Sequence, residues 1–374
     1  RGAHTWSDAY WPYTEITSHV RKGGTMNEPE PYKRASIKDV AARAGVSWKT
    51  VSNVVNNRPV VKPATRDKVL AAIDELGYVP NESAREIRGK ATRTVALVIP
   101  HLLNPYFARL AETFHNVAAR AGYSVSIELT GEHADIERRY ARGHAKRSFG
   151  ALIMAPLLPE TVRELAEHSP LPTVVLGEAV ADHGSIHHVS IDNTASAVDV
   201  VRHITERGAT RPLFLGAQEG VASTGAERLT GFRAACRFAG ISPADQLLIH
   251  TTEWTRREGY AQVKALISGS GSAKTLPFDA IVGGNDLLAL GACEALREAG
   301  LSIGTDVLVT GWDDIPESAH ATPPLTSVAP DLECLVSAAL FAALGDDSFA
   351  KGAEAAEVTA LGSGSTFLVP HTLV

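Results

Sequence analysis

Ser36-Ile-Lys-Asp-Val-Ala-Ala-Arg-Ala-Gly-Val-Ser47, running on as Trp48-Lys-Thr-Val-Ser-Asn-Val-Val-Asn56, is the stretch that decides how this chain begins to fold. Ile37, Val40, Ala41 and Ala44 recur at the i, i+3, i+4, i+7 spacing of one apolar helix face, Ser36 is placed as N-cap and Gly45 ends the helix. Ser47 then caps a second predicted helix over Trp48–Asn56, with Val51, Val54 and Val55 facing inward. Two short helices joined by Gly45-Val46-Ser47 make a helix-turn-helix. A third begins with Pro63 at its first position, where the missing N–H costs nothing, buries Val69, Ile73 and Leu76, and stops at Gly77. Lys62, standing before Pro63 in place of a capping Ser or Thr, suggests a phosphate contact.

Charge separates this head from the rest of the chain. Tyr32 to Arg93 holds 13 Lys and Arg against 6 Asp and Glu, whereas Thr94 to Val374 holds 20 against 32, so the overall charge of -6 joins a basic head to an acidic body. A basic module of that size is the electrostatic footprint of a nucleic-acid binder. Across 374 residues, 44% hydrophobic and 21% charged residues with no membrane-length apolar run exclude disordered, fibrous and transmembrane classes. Three scattered cysteines form neither a zinc ribbon nor a disulfide framework, which fits a reducing, cytoplasmic compartment.

The headpiece motif, together with Thr50-Val-Ser-Asn-Val-Val-Asn56 and Leu76-Gly-Tyr-Val-Pro-Asn81, resembles the DNA-binding headpiece of the lactose-repressor (LacI/GalR) family, and the resemblance runs on from Ser36 to the end of the chain. It implies a small all-α helix-turn-helix headpiece followed by an α/β periplasmic-binding-protein-like core of two Rossmann-like parallel-sheet subdomains. The expected organisation is a leader and linker over 1–34, with the native start at Met26, a headpiece over 35–80, a hinge helix over 81–92 and an effector-binding and dimerisation core over 93–374. Crossovers between the subdomains are expected near Ile191 and Thr322, and His371-Thr-Leu-Val374 is read as a shortened tail.

In a helix-turn-helix the second helix enters the major groove by its N-terminal end, so Trp48, Lys49 and Asn53 are the expected base readers, while Ser47, Thr50 and Ser52 suit phosphates. Trp48 has the alternative of a place in the core. Ser83 to Lys90 resembles the family hinge, which implies that Ile87, in the position usually held by leucine, wedges into the minor groove beside Ala84, while Arg85 and Lys90 neutralise phosphate. The alternative is a plain linker.

Beyond Thr94 short β-branched runs alternate with amphipathic helices: 94–99, 123–129, 151–155, 173–177, 212–216, 279–284 and 307–312. Ligands of such sheets bind beyond the strand C-termini. By resemblance Asn104, Tyr106, Phe107, Thr224, Arg228, Trp254, Asn285 and Asp313 fall at or beside ligand-contacting positions, with His101 nearby. An aromatic face, an Arg fork, an amide and a carboxylate can hold vicinal hydroxyls or a heterocycle edge. Asn285 and Asp313 have the alternative of helix N-caps. Leu157, Leu158, Pro330 and Leu332 depart from the polar contacts of sugar-binding relatives and imply a more apolar pocket.

The expected protein is a homodimer, or a larger assembly, that binds a pseudo-palindromic double-stranded operator under control of a small-molecule effector, most simply a sugar. A nucleoside or purine is the second choice, favoured by Tyr106 and Phe107 and by Gly177-Glu178-Ala179. No cofactor, metal or membrane partner is expected: His183, His187 and His188 lack the spacing of a metal site, and no nucleophile–base motif appears. The rival classes are an exported solute-binding protein, opposed by the basic head, and an enzyme on a doubly wound sheet.

Overall fold

A computed structural model describes residues 35–55, 58–78, 92–131, 133–143, 149–177, 186–218, 223–251, 253–269, 276–361 and 364–374. Ala84, Arg85, Ile87, Lys90 and the leader lie outside them. The chain divides into two units, 1–85 and 86–374.

In the first unit α1 (Ile37–Ala44) opens on a capping box: Asp39 N–H donates to Ser36 Oγ at 3.3 Å and Ser36 N–H to the Asp39 carboxylate at 2.8 Å. Gly45, at φ 65, supplies the left-handed turn that redirects the chain. Ser47 Oγ accepts from Thr50 N–H at 3.1 Å and so caps α2 (Trp48–Val55). Val40, Val51, Val54, Val69 and Ala72 form the buried centre with α3 (Pro63–Leu76). Ile73, Leu76 and Val55, expected inside, pack only at its rim, because the face of α3 that points inward runs through Val69 and Ala72.

The second unit winds into two sheets. The first takes β1 (Thr94–Ile99), β2 (Ser124–Leu129), β3 (Ala151–Met154), β4 (Thr173–Leu176), β5 (His187–Ile191), β11 (Glu357–Leu361) and β12 (Gly364–Val369), in the order β11-β12-β5-β4-β3-β1-β2. The second takes β6 (Pro212–Ala217), β7 (Leu247–His250), β8 (Ala280–Gly283), β9 (Leu308–Trp312), β10 (Thr326–Pro330) and β13 (His371–Leu373), in the order β13-β10-β9-β8-β6-β7. All pairings are parallel except β11 with β12 and β10 with β13, so each sheet is doubly wound with an antiparallel edge. The helices that position the cleft are α4 (Pro105–Arg120), α5 (Ala134–Ala141), α6 (Pro159–His168), α7 (Asn193–Glu206), α8 (Thr224–Phe238), α9 (Arg256–Gly269), α10 (Asp286–Glu298), α11 (Pro316–Ala319) and α12 (Leu332–Leu344).

Two expectations are corrected. The chain changes sheet after Ile191 as expected but not at Thr322, because β10 pairs with β9 in the register Thr326 to Thr310 and so keeps the chain in the second sheet up to Pro330. It crosses back through α12 and once more after Val369. The tail read as shortened ends in a paired strand: residues 371–373 pair antiparallel with Val328–Pro330, and the His371 ring lies 3.1 Å from the Asp199 carboxylate. Several strands lie one residue inside the expected limits: Tyr123, Ala155, Gly177 and Gly284 fall outside them, and Val307 makes an isolated bridge with Ile303.

Candidate binding cleft and nucleic-acid interface

On α2 the first turn carries the exposed groups. Trp48 is 51% exposed, so it belongs to the surface more than to the core. Lys49 and Ser47 are exposed, and Thr50, Ser52 and Asn53 are half-buried. The hydroxyls of Ser47 and Thr50 lie 2.9 Å apart at the helix N-terminus, where free backbone donors and the helix dipole favour an anion. Lys62 makes no capping hydrogen bond, as its position before Pro63 suggested.

Between the strand ends of the two sheets lies a cleft of about 770 Å³ lined by all nine expected residues: His101, Asn104, Tyr106, Phe107, Thr224, Arg228, Trp254, Asn285 and Asp313. Parallel strands deliver them, since each helix that follows a strand begins at this rim. Asn104 caps α4 by accepting from Tyr106 N–H at 3.0 Å. Asn285 caps α10 through Leu288 N–H at 2.9 Å and donates to the Trp254 carbonyl at 3.3 Å, so the capping alternative holds for Asn285 even though it faces the cleft.

Asp313 is no cap. It sits at φ 101, a strained conformation for a residue with a Cβ, and among the described residues its carboxylate has no hydrogen-bond partner. Arg228 lies behind it, 7% exposed. Its Nε donates to Asn193 Oδ1 at 3.0 Å and its Nη1 to the Gly284 carbonyl at 2.6 Å, with the guanidinium 5.7 Å from the Trp254 ring and 5.1 Å from that of Trp312. Three glycines seat the Trp254 indole: a Cβ added at Gly225 or Gly284 would lie 2.9 Å from the ring and one at Gly216 3.1 Å from its Nε1. Tyr106 and Phe107 meet edge-on with centroids 5.3 Å apart, and burial pushes the Tyr106 hydroxyl well above its ordinary range.

Four residues outside the candidate set support the cleft. Trp312, wholly buried, donates to Ser196 Oγ at 3.1 Å and backs the guanidinium, and Asn193 at the start of α7 orients it. Asp286 accepts from Ile315 N–H at 2.9 Å and from the hydroxyls of Ser318 and Ser327 at 2.7 Å each, fixing the turn that carries Asp313. From α4, Arg109 reaches the same turn, donating to the Asp314 carbonyl and standing 3.5 Å from its carboxylate. Asp286, next to Asn285, was the signal available: a carboxylate at the start of a helix whose next seven residues are apolar.

Burial pushes the Asp313 carboxyl up to about 7, with Arg228 opposing the rise and Asp286 adding to it. An unfolded aspartate titrates near ~3.9. Between those limits the folded chain holds a proton that the unfolded chain has lost, so raising the pH from about 4 to about 7 lowers the stability of the empty core. Asp286, pushed by burial to about 6, acts in the same direction. A ligand hydroxyl donating to the ionised carboxylate favours the charged form. Ligand binding below pH 7 is therefore expected to release a proton and to tighten as the pH rises toward 7. Calorimetric titration in buffers of different ionisation enthalpy measures this, and proton release unchanged by Asp313→Asn contradicts it.

Among the described residues no helix is long and apolar enough to cross a membrane, and no group of three or more His, Cys, Asp or Glu is placed to hold a metal ion. His187 and His188 lie on β5, with the His188 ring 3.3 Å from the Gly177 carbonyl.

Residues 36–81 match the profile of the bacterial regulatory proteins, lacI family, and residues 201–348 that of the periplasmic binding protein-like domain. The chain is 31% identical over 294 residues to catabolite control protein A of Priestia megaterium, spanning 78% of this chain and 86% of that protein. It is 32% identical over 298 residues to the ribose operon repressor of Escherichia coli strain K12, spanning 79% of this chain and 87% of that one. A solved structure of the lac repressor dimer bound to operator and the anti-inducer ONPF matches with a TM-score of 0.71 at 25% identity, covering 91% of this chain and 98% of the other.

Proposed function

Since the chain belongs to the LacI family of bacterial transcriptional regulators, we propose that it acts in the cytoplasm as a homodimeric repressor, that α2 reads a pseudo-palindromic operator, and that a sugar or sugar derivative in the cleft controls operator affinity. The observation that carries the effector reading is the unpartnered Asp313 carboxylate backed by the buried Arg228 and flanked by the flat face of Trp254. A carboxylate and a guanidinium fork together grip neighbouring hydroxyls by charge-assisted hydrogen bonds, and a ring face takes the apolar side of a pyranose. The ribose operon repressor among its relatives favours the same ligand chemistry. The edge-on Tyr106 and Phe107 pair favours the second reading, a purine or nucleoside. No reaction is assigned to the cleft, whose groups serve to hold a ligand.

In this reading Lys49, Asn53 and Trp48 specify bases, Ser47, Thr50 and Ser52 meet phosphates, and Ile87 with Ala84 wedges the operator centre while Arg85 and Lys90 position the backbone. One short helix contacts too few base pairs for specificity, so two-fold pairing of chains supplies the second half-site. The test is selection of bound DNA from a random pool with and without sugars. The expected product is a two-fold motif, and Lys49→Ala is expected to cost about 1–3 kcal/mol and relax one base position per half-site. A selected motif identical for wild type and Lys49→Ala removes α2 from the reading role.

A further inference from the structure

Arg109 reaches from the lobe built on the first sheet to a turn of the lobe built on the second. It stands three residues after Tyr106 on α4, the helix between β1 and β2, so the two side chains share one helix face. That face is turned to the second lobe. Tyr106 packs against the buried cluster that holds Leu215 and Leu288, while Arg109 Nη1 donates to the Asp314 carbonyl and lies 3.5 Å from the Asp314 carboxylate.

The turn it meets, between β9 and α11, is held under constraint. Asp313 and Asp314 follow one another at φ 101 and 49, a conformation that residues with a Cβ keep only where surrounding contacts enforce it. Asp314 N–H donates to Ser327 Oγ at 3.0 Å and Ile315 N–H to the Asp286 carboxylate at 2.9 Å, both contacts within the second lobe. Arg109 is the contact that comes from the first. Three carboxylates, those of Asp286, Asp313 and Asp314, gather at this turn, and Arg228 faces them from their own lobe whatever the position of the other. Moving the lobes apart withdraws Arg109 from them and costs electrostatic energy even when the cleft is empty. The Arg109 and Asp314 side chains are 36% and 34% exposed, so water weakens the pair enough for it to be broken and remade.

We propose that Arg109 and Asp314 form a latch that holds the two lobes closed over the empty cleft. The inference rests on the reading that the cleft controls operator affinity, and it adds the contact that sets how often the cleft opens.

Opening is measured without an effector, by electron-spin distance measurement between labels at Leu103→Cys and Glu253→Cys, two exposed positions that line the mouth from opposite lobes. The native cysteines are buried and leave the introduced thiols to react. Labelled full-length chains are diluted with unlabelled ones, so that only pairs within one chain report. Wild type is expected to give one narrow distance at about 0.01 M salt that lengthens and broadens at about 1 M, as the screening length falls about tenfold. Arg109→Met and Asp314→Asn are each expected to show the longer, broader distribution at both salt concentrations. Asparagine tolerates the left-handed turn, so the second variant removes the charge and spares the backbone. The double variant is expected to go no further than either alone, the mark of two residues acting through one contact. Arg109→Lys is expected to recover part of the narrow distance. An Arg109→Met chain with the wild-type distribution and salt response overturns the latch, and so does an Asp314→Asn chain that behaves as wild type. With the operator found by selection, and no sugar added, Arg109→Met is expected to change affinity by about fivefold or more. A longer distance with unchanged operator affinity upholds the latch and overturns control of the operator by the cleft.

Discussion

Operator affinity is expected to fall by about three to five orders of magnitude between 50 and 200 mM salt, provided that ~6–10 phosphates are neutralised by the bound dimer. Each neutralised phosphate releases condensed counterions, and the gain in their entropy shrinks as the bulk salt rises. The basic stretch from Tyr32 to Arg93, with 13 Lys and Arg, supplies enough cations for that count from two chains, while the acidic body, with 32 Asp and Glu against 20 Lys and Arg, repels the duplex and leaves the head to make the contacts. Fluorescence anisotropy of a labelled operator across a salt series gives the slope directly. A slope of one or two phosphates would mean that only α2 touches the duplex and that the basic residues on either side of it do not.

Arg228→Ala is expected to abolish the effector response, weakening effector binding more than about a hundredfold and costing the core about 3–5 kcal/mol. The substitution removes more than one ligand contact. It leaves Asn193 Oδ1 and the Gly284 carbonyl without their donor, opens a void between the Trp254 and Trp312 rings, and takes away the cation that restrains the upward shift of Asp313. Asp313 then stays protonated near neutral pH and loses its grip on a ligand hydroxyl. Arg228→Lys is expected to recover part of the stability and little of the affinity, because an ammonium cannot span the fork. Calorimetry with a binding sugar and a thermal unfolding curve separate the two effects; an Arg228→Ala protein that binds within tenfold of wild type would take the fork out of recognition.

The three helices of the head were legible because the signals that set their ends are local. Ser36, Asp39 and Gly45 sit within one turn of the helix ends they set, and the apolar spacing reports the buried face with only Val55, Ile73 and Leu76 placed too deep. In the body most strands rich in Val, Ile and Leu were found, the start of β5 was marked only as a loop-to-strand boundary at His187-His188, and β10 to β13 were not marked as strands. His187-His188 gave β5 a polar start, Thr326-Ser327 and Pro330 disguised β10, and the Ser and Gly residues around 362–366 hid β11 and β12. Such strands form because neighbouring strands offer them a ladder, which is tertiary information absent from any short window. In the cleft all nine candidate residues line the wall, yet Asn193, Trp312 and Asp286, which orient Arg228 and Asp313, were passed over because each acts across 29 or more residues of chain. Residues at strand ends are marked by sequence position, whereas their supports are marked only by the fold.

Ribosomal synthesis delivers β1 to β5 early, but the strand that flanks β5 in the finished sheet, β12, emerges about 170 residues later, and the partner of β10, β13, emerges after that. Until then a nascent chain carries two bare strand edges able to pair with other chains. Closing them requires contacts of very long sequence separation, which form slowly. The first lobe is therefore completed only at the end of synthesis: a gene cut at residue 191 leaves its sheet without β11 and β12, whereas all six strands of the second sheet lie beyond the cut.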